Sequence, residues 1–454
     1  MTSPLPFQSV DEPIPTPAQA AHNPGKGVPR LRVPVRDQVE FNWSSLEERL
    51  DPDSQARAVW DLVCRLDLSA WLDEIKAIHG HGGRDATDPR VLVALWVFAT
   101  LRGVGSARQL ERLCGEHIAY QWLCGGVSVN YHTLADFRSQ GGAKWDALLT
   151  QIVAALLDEG LVTMDRVAQD GMRVRADAGK SSFRTGGRLE ELLKEAENQV
   201  ETLKRLAETD ADELSNRQCA ARARAAEERR ARIAAAVDQC EDLRQQKQER
   251  DKGRKEKSSE ARASTTDPEA RNLKFSDGGC RPGFNVQFAT DTATGIVVGV
   301  DVTNAGSDSE EMPPMRAQLE ERYDQKPKEM LVDGGFASLD AIDAVESDGC
   351  KVYAPVKDAD KQQKAGKDPY ARKPKDTDHT AGWRKRMGEE ASKAIYKLRA
   401  QTAEWVNAMC RNRGLWRMPV RGLEKCRIVA RLYAITHNLV HQGNLRAAAA
   451  GAKG

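Results

Sequence analysis

Three acidic residues stand where a charge is costly unless it has a use. Asp170 interrupts an apolar alternating stretch: Val167 and Ala168 lead to it, and Met172, Val174 and Ala176 share its strand face. Asp333 ends the apolar run from Glu329 and is followed by Gly334-Gly335, which lets the backbone turn sharply beside it. Ligands of open α/β sheets gather at such strand ends. Glu404 lies in a helical stretch among Ala400, Ala403, Trp405 and Ala408, with Tyr396 and Arg399 before it. Arg411, seven residues on, shares its helix face. Three carboxylates brought together cannot all stay ionised without a cation. Two Mg²⁺ ions would neutralise them, activate a water or a 3′-hydroxyl, and stabilise the leaving oxygen of a phosphodiester. Taken singly, each aspartate reads more readily as a turn or cap residue, and Glu404 as a solvated helix residue or an arginine partner. Only folding can assemble them.

The elements that would position these groups are legible in the pattern. Residues 1–36 carry many prolines and few large apolar side chains, which predicts a disordered tail containing Arg30, Arg32 and Arg36. Residues 37–157 read as helical. Asp88-Pro89 opens a helix with its apolar stripe at Val91, Leu92, Leu95, Phe98 and Leu101, and Gly103-Val104-Gly105 breaks it. Ser106 and Gln109 restart a helix, and Thr133 with Asp136 marks a further cap. Helix, glycine turn, helix is the outline of a helix-turn-helix, although many other proteins share it. His79-Gly80-His81 has no third ligand nearby and reads as a polar loop.

Strand periodicity begins near Arg166 and breaks at 187–262 for a proline-free, highly charged helical insertion. Leu192, Leu203, Leu206 and Ile233 give that insertion a thin apolar seam. Strands resume with Phe284, Val286 and Phe288, a turn at Asp291–Gly295, and Ile296 to Val302. Helix follows at Ser309–Tyr323, strand at Glu329–Asp333, helix at Ser338–Glu346 and strand at Lys351–Val356. Residues 357–384 read as a flexible loop, with helix over most of Trp383–Gly414 and again at Leu423–His441. The layout is α/β with a mixed sheet. The expected organisation is a core in two parts (158–186 and 263–356), a helix at 385–414 carrying the glutamate, and a C-terminal helix and tail at 415–454.

Composition excludes several classes. No apolar run is long enough to cross a bilayer, and no apolar signal segment opens the sequence, so a cytoplasmic protein is expected. The nine cysteines are odd in number and lack paired spacing, arguing for thiols rather than disulfides or zinc. A net charge of +1 hides asymmetry. Residues 371–440 hold 16 Lys/Arg against 6 Asp/Glu, suiting a polyanionic partner or a solubilising surface, whereas 181–260 hold 18 of each.

Longer runs carry a family resemblance. Asp170-Gly171-Met172-Arg173-Val174 resembles the first-aspartate strand of DDE transposases from bacterial insertion sequences. Ser264-Thr265-Thr266-Asp267-Pro268-Glu269-Ala270-Arg271, Asp277-Gly278-Gly279 and Gly283-Phe284-Asn285-Val286-Gln287 are similar to segments of that group. Leu331-Val332-Asp333-Gly334-Gly335-Phe336 looks like its second-aspartate strand. Tyr396-Lys397-Leu398-Arg399, Glu404 and Arg411 resemble its Tyr–Arg–Glu–Lys helix signature. Arg421-Gly422-Leu423-Glu424-Lys425 and Thr436-His437-Asn438-Leu439 match its closing segments. Arg411 stands where relatives carry lysine, which keeps the charge but alters phosphate geometry. Trp405 follows the glutamate where relatives often have proline.

The resemblance implies an RNase H-like mixed five-stranded sheet with flanking helices, split by the 187–262 insertion and preceded by the helical DNA-binding segment. It implies Asp170, Asp333 and Glu404 as catalytic and metal-holding residues for two Mg²⁺ ions, with Mn²⁺ able to substitute. Tyr396, Arg399 and Arg411 would contact DNA backbone near the scissile bond, and Arg108, Arg112 and Arg138 the terminal inverted repeats. The partners implied are double-stranded terminal repeats and target DNA, bound by at least a homodimer in a bacterial cytoplasm, at the nucleoid. The competing expectations are a metal-dependent nuclease without strand transfer, a catalytically silent DNA-binding relative, and a coiled-coil structural protein.

Overall fold

Residues 43–77, 85–209, 213–252 and 260–451 are described by a computed structural model. The expected tail of residues 1–36 and the His79-Gly80-His81 loop lie outside them. A short helix, α1 (Leu46–Arg49), belongs to an N-terminal unit, and Leu50–Gly454 form a second unit.

Local signals place most helices of the second unit. It begins with α2 (Gln55–Val63), α3 (Ser69–Leu72), α4 (Pro89–Leu101), α5 (Ala107–Glu116), α6 (Ile118–Cys124), α7 (Tyr131–Gln140) and α8 (Gly142–Asp158). Asp88 Oδ1 accepts the Arg90 N–H at 2.8 Å, and Pro89 sits where no N–H is needed. Helix α4 is buried from Val91 to Thr100 on all sides, so it is core rather than a recognition surface. Gly103 turns the chain at φ +72°, and Ser106 caps α5 by accepting the Gln109 N–H. The cap of α7 is Asn130, accepting from Thr133 N–H at 2.9 Å, rather than the expected Thr133–Asp136 pair.

The strands are β1 (Arg166–Arg175), β2 (Phe183–Thr185), β3 (Arg262–Ser264), β4 (Arg271–Lys274), β5 (Cys280–Asp291), β6 (Val297–Thr303), β7 (Glu329–Leu331) and β8 (Lys351–Tyr353). Between β2 and β3 runs the insertion, a hairpin of α9 (Gly186–Thr209) and α10 (Glu213–Arg250) standing on the antiparallel β2–β3 pair. Its seam is Leu189, Ala196 and Val200 against Ala226, Ile233, Ala236 and Cys240. Of the expected seam residues Ile233 is buried, while Leu206 is exposed.

The main sheet runs β4-β5-β1-β7-β8, with β6 also paired to β5. Strands β4, β5, β6 and β1 pair antiparallel, and β1, β7 and β8 parallel. Among the described residues that makes six strands where five were expected. The long β5 shares one edge between two partners: β4 takes Cys280–Gly283 and β6 takes Asn285–Thr290.

After β6 come α11 (Met312–Tyr323), α12 (Leu339–Ser347), α13 (Ala359–Lys364), α14 (Asp378–Met387), α15 (Glu390–Asn412) and α16 (Leu423–Gly451). Helix α13 and most of α14 fall inside residues 357–384, the segment expected to be a flexible loop. Part of its charge is buried as a pair: Arg384 Nε meets the buried Asp376 Oδ2 at 2.7 Å. Trp383 is buried and donates to the Ala354 carbonyl at 3.2 Å. Helix α16 packs on α4, α8 and β6, so the N-terminal helices and the sheet share one apolar core. All nine cysteines are thiols. Among the described residues no helix is long and apolar enough to cross a membrane.

Candidate active site

Strand register brings the two aspartates together. Parallel pairing sets Ala168 beside Leu331, and two residues further along each chain Asp170 and Asp333 fall side by side. Each is held by its own local backbone. Gly171 N–H donates to Asp170 Oδ1 at 3.0 Å, and Gly335 N–H to Asp333 Oδ1 at 2.7 Å.

Helix α15 supplies the rest. Its buried face, Ser392, Arg399, Thr402, Ala403, Val406, Asn407 and Cys410, repeats at the three-to-four spacing of one helix side. That face lies on β1, so Arg399 and Asn407 project onto Asp170 while Glu404 stands at the flank. Asn407 Nδ2 donates to Asp170 Oδ2 at 2.8 Å. Arg399 Nη2 reaches Asp170 Oδ1 at 2.8 Å and Asp333 Oδ2 at 3.9 Å, and Nη1 reaches Glu404 Oε1 at 2.7 Å. One guanidinium therefore bridges all three acids.

The electrostatics follow from depth. Burial pushes the Asp170 carboxyl above its ordinary value and nearby Asp333 adds to this, while Arg399 and Asn407 pull it back. Burial alone would lower Arg399, but Asp170, Tyr396 and Asp333 outweigh it and hold the guanidinium above its usual value. Burial likewise raises the Tyr396 phenol. Asp333 and Glu404 remain 42% and 52% exposed, open to an incoming ligand. Their donor atoms are all carboxylate oxygens, the set that hard divalent cations prefer. As the side chains stand, no group of three or more His, Cys, Asp or Glu among the described residues encloses an ion. The Arg399 cation occupies the point of convergence.

The other expected contacts divide. Tyr396, one turn before Arg399, lines a cavity of about 520 Å³ with Pro355, Lys393 and Lys397. Arg411 is exposed about 10 Å further along the axis than Glu404, outside the acid cluster. Arg108 and Arg112 are exposed on α5, Arg108 lying over the Tyr131 ring at 4.9 Å. Arg138 is taken up by the fold instead: it is 6% exposed, donates to the Gly105 carbonyl at 2.7 Å and stacks on Trp96 at 4.1 Å. Burial lowers its pKa to about 10.

Two residues near these acids escaped the sequence reading. Asn407 lies eight positions after Arg399, close to its helix face, which was an available signal. Asp308 sits in the loop before α11 and gave none. On the opposite face of β1 from Asp170 it accepts from Asn285 Nδ2 at 2.5 Å, Gln287 Nε2 at 2.8 Å and both terminal nitrogens of Arg173 at 3.2 Å.

Two distant sequence signatures also meet. Asp267 Oδ1 accepts the Gly422 N–H at 3.2 Å and Glu269 Oε2 the Leu423 N–H at 2.8 Å, so the run 264–271 caps the start of α16.

Two family models match the chain. The one described as "Transposase DDE domain" covers residues 255–439, and "Transposase domain (DUF772)" covers residues 44–140. Comparison with curated proteins and with solved structures gives no match.

Proposed function

Since the chain belongs to the transposases that carry a DDE domain, we propose that Asp170, Asp333 and Glu404 are its catalytic acids. In this reading the protein cleaves the ends of an insertion sequence and joins the freed 3′-hydroxyl to target DNA. The observation that carries it is the meeting of three acids, from a strand, a post-strand turn and a helix, on one cation. The sheet, with antiparallel strands leading into β1 and parallel β7 and β8 beyond it, suits an RNase H-like core.

The residues fit a pair of Mg²⁺ ions, or Mn²⁺ in their place, because every donor is a carboxylate oxygen and two of the acids are half exposed. When bound, such ions make a water or a 3′-hydroxyl nucleophilic and neutralise charge at the phosphodiester. The protein's own groups do the rest. Asn407 and the Gly171 N–H fix the orientation of Asp170. Arg399, once its carboxylate partners are otherwise engaged, offers a two-pronged donor to a phosphate oxygen pair. Tyr396 and Arg411 extend the backbone contacts along α15. Exposed Arg108 and Arg112 on α5 serve the terminal repeats, and the basic segment from Lys373 to Arg431 adds salt-dependent affinity for DNA. Two ends must be held at once, so a homodimer or larger assembly forms on DNA.

The test is a strand-transfer assay with a pre-nicked end from the DNA that flanks the gene, in Mg²⁺. Joined product is expected. Cleavage without joining would make the protein a nuclease on this fold, and binding without cleavage a silent relative.

A further inference from the structure

The buried polar group behind β1 is unlike a sheet core. Gln169, Asn285 and Gln287 are fully buried on the face opposite Asp170, and they gather around Asp308. Four donors hold this one carboxylate, including both arms of Arg173, so its position is fixed.

What it is fixed against is specific. A Cβ on Gly171 would lie 2.5 Å from Asp308 Oδ1 and 2.7 Å from Gln287 Nε2, both closer than real Cβ contacts allow. A Cβ on Gly335 would lie 3.8 Å from Asp308 Oδ2 and 2.9 Å from Asp333 Oδ1. Asp308 therefore rests against Gly171, whose N–H holds Asp170, and stands near Gly335, whose N–H holds Asp333. A side chain is excluded at Gly171 by Asp308, and at Gly335 by the Asp333 carboxylate itself.

We infer that Asp308 is a fourth acidic residue of the site, a positioning residue that braces the backbone donors of Asp170 and Asp333. It acts directly through Gly171, and on the Asp333 side through the turn at Gly335 that stands beside it. Arg173, Asn285 and Gln287 exist on this face to hold it, which gives the Gly283–Gln287 segment a purpose beyond strand pairing. Groups that orient the holders of a cation change its affinity about 10- to 100-fold when removed. This inference rests on the catalytic reading of Asp170 and Asp333.

The experiment is Mn²⁺ binding to the full chain, read by electron paramagnetic resonance, with thermal melting and DNA affinity measured alongside. Asp308→Asn removes the charge and keeps the shape; Gly171→Ala pushes on the same carboxylate from the other side. Each is expected to weaken Mn²⁺ binding about tenfold with DNA affinity unchanged; Asp308→Asn should melt within a few degrees of wild type, and Gly171→Ala lower because its Cβ overpacks a buried layer. A tenfold higher Mn²⁺ concentration should then restore cleavage. If Asp308→Asn does not fold, Arg173→Lys loosens the same carboxylate and should weaken binding a few-fold. Wild-type Mn²⁺ affinity in folded Asp308→Asn, Gly171→Ala or Arg173→Lys protein overturns the inference. Absence of Mn²⁺ binding in the wild type, or binding undiminished in Asp170→Asn, overturns instead the reading of the site itself.

Discussion

Arg399 Nη2 lies 2.8 Å from Asp170 Oδ1, and the two side chains are only 10% and 13% exposed. A buried carboxylate so placed depends on its cation. Arg399→Gln should destabilise the metal-free protein by about 3–5 kcal/mol, the cost of leaving one member of a buried pair behind. Asp170→Asn should cost less, because Arg399 keeps Glu404 at 2.7 Å. The double variant should cost less than the two singles added together, as expected for residues in one network. Urea denaturation in a chelating buffer measures all three; strictly additive costs would mean the pair is not coupled.

Asp267 gives a pH signature. Burial raises its carboxyl from 3.8 to about 6, with Glu269 contributing and the Gly422 N–H opposing. The folded protein thus holds the proton more tightly than the unfolded chain does. This contribution to stability is present below about pH 4 and is lost as pH rises through about 6. The amount is about 3 kcal/mol. Asp267→Asn should flatten that part of the stability profile, visible in denaturation midpoints at pH 4, 5, 6 and 8.

The arginines of the N-terminal helices should separate by role. Arg138→Met leaves the Gly105 carbonyl unpaired and empties space over Trp96, costing about 2 kcal/mol. The slope of DNA affinity against salt should not change. Arg108→Ala and Arg112→Ala should each leave stability nearly untouched and reduce that slope by about 1. Melting curves and a salt titration of terminal-repeat binding distinguish the two patterns.

Asn407→Ala removes the donor on Asp170 Oδ2. Cleavage should fall about 10- to 100-fold with DNA affinity preserved, the range seen when an orienting partner is lost. Single-turnover cleavage kinetics give the number.

How far the sequence spoke depended on whether a signal was local. Asp88, Pro89 and Ser106 announce their helices because caps act within three residues. Asp170 and Asp333 stand out because each is a charge at an apolar strand. Strand β4 was missed: its four residues are too few to show a period, and it exists by sharing the edge of β5. The segment 357–384 has the Lys, Asp, Gly and Pro content of a loop. Arg384 and Asp376 instead neutralise one another beside buried Trp383. Arg138 looked like a phosphate contact because burial of a charge leaves no trace in spacing. Asp308 was invisible for a different reason. Its place is defined by the side chain Gly171 lacks on a neighbouring strand, a relation that exists only once the sheet is formed.

The most direct measurement is Mg²⁺-dependent cleavage of terminal-repeat DNA by the wild type, Asp170→Asn, Asp333→Asn and Glu404→Gln, with binding to the same DNA measured in parallel. Wild-type cleavage is predicted to fall by about a thousandfold or more in each variant, the scale of losing a charge-stabilising group at a transition state, while binding persists. Cleavage surviving in any one of them, or vanishing on substitution of Glu389, Glu390 or Glu424 in place of Glu404, would contradict the account.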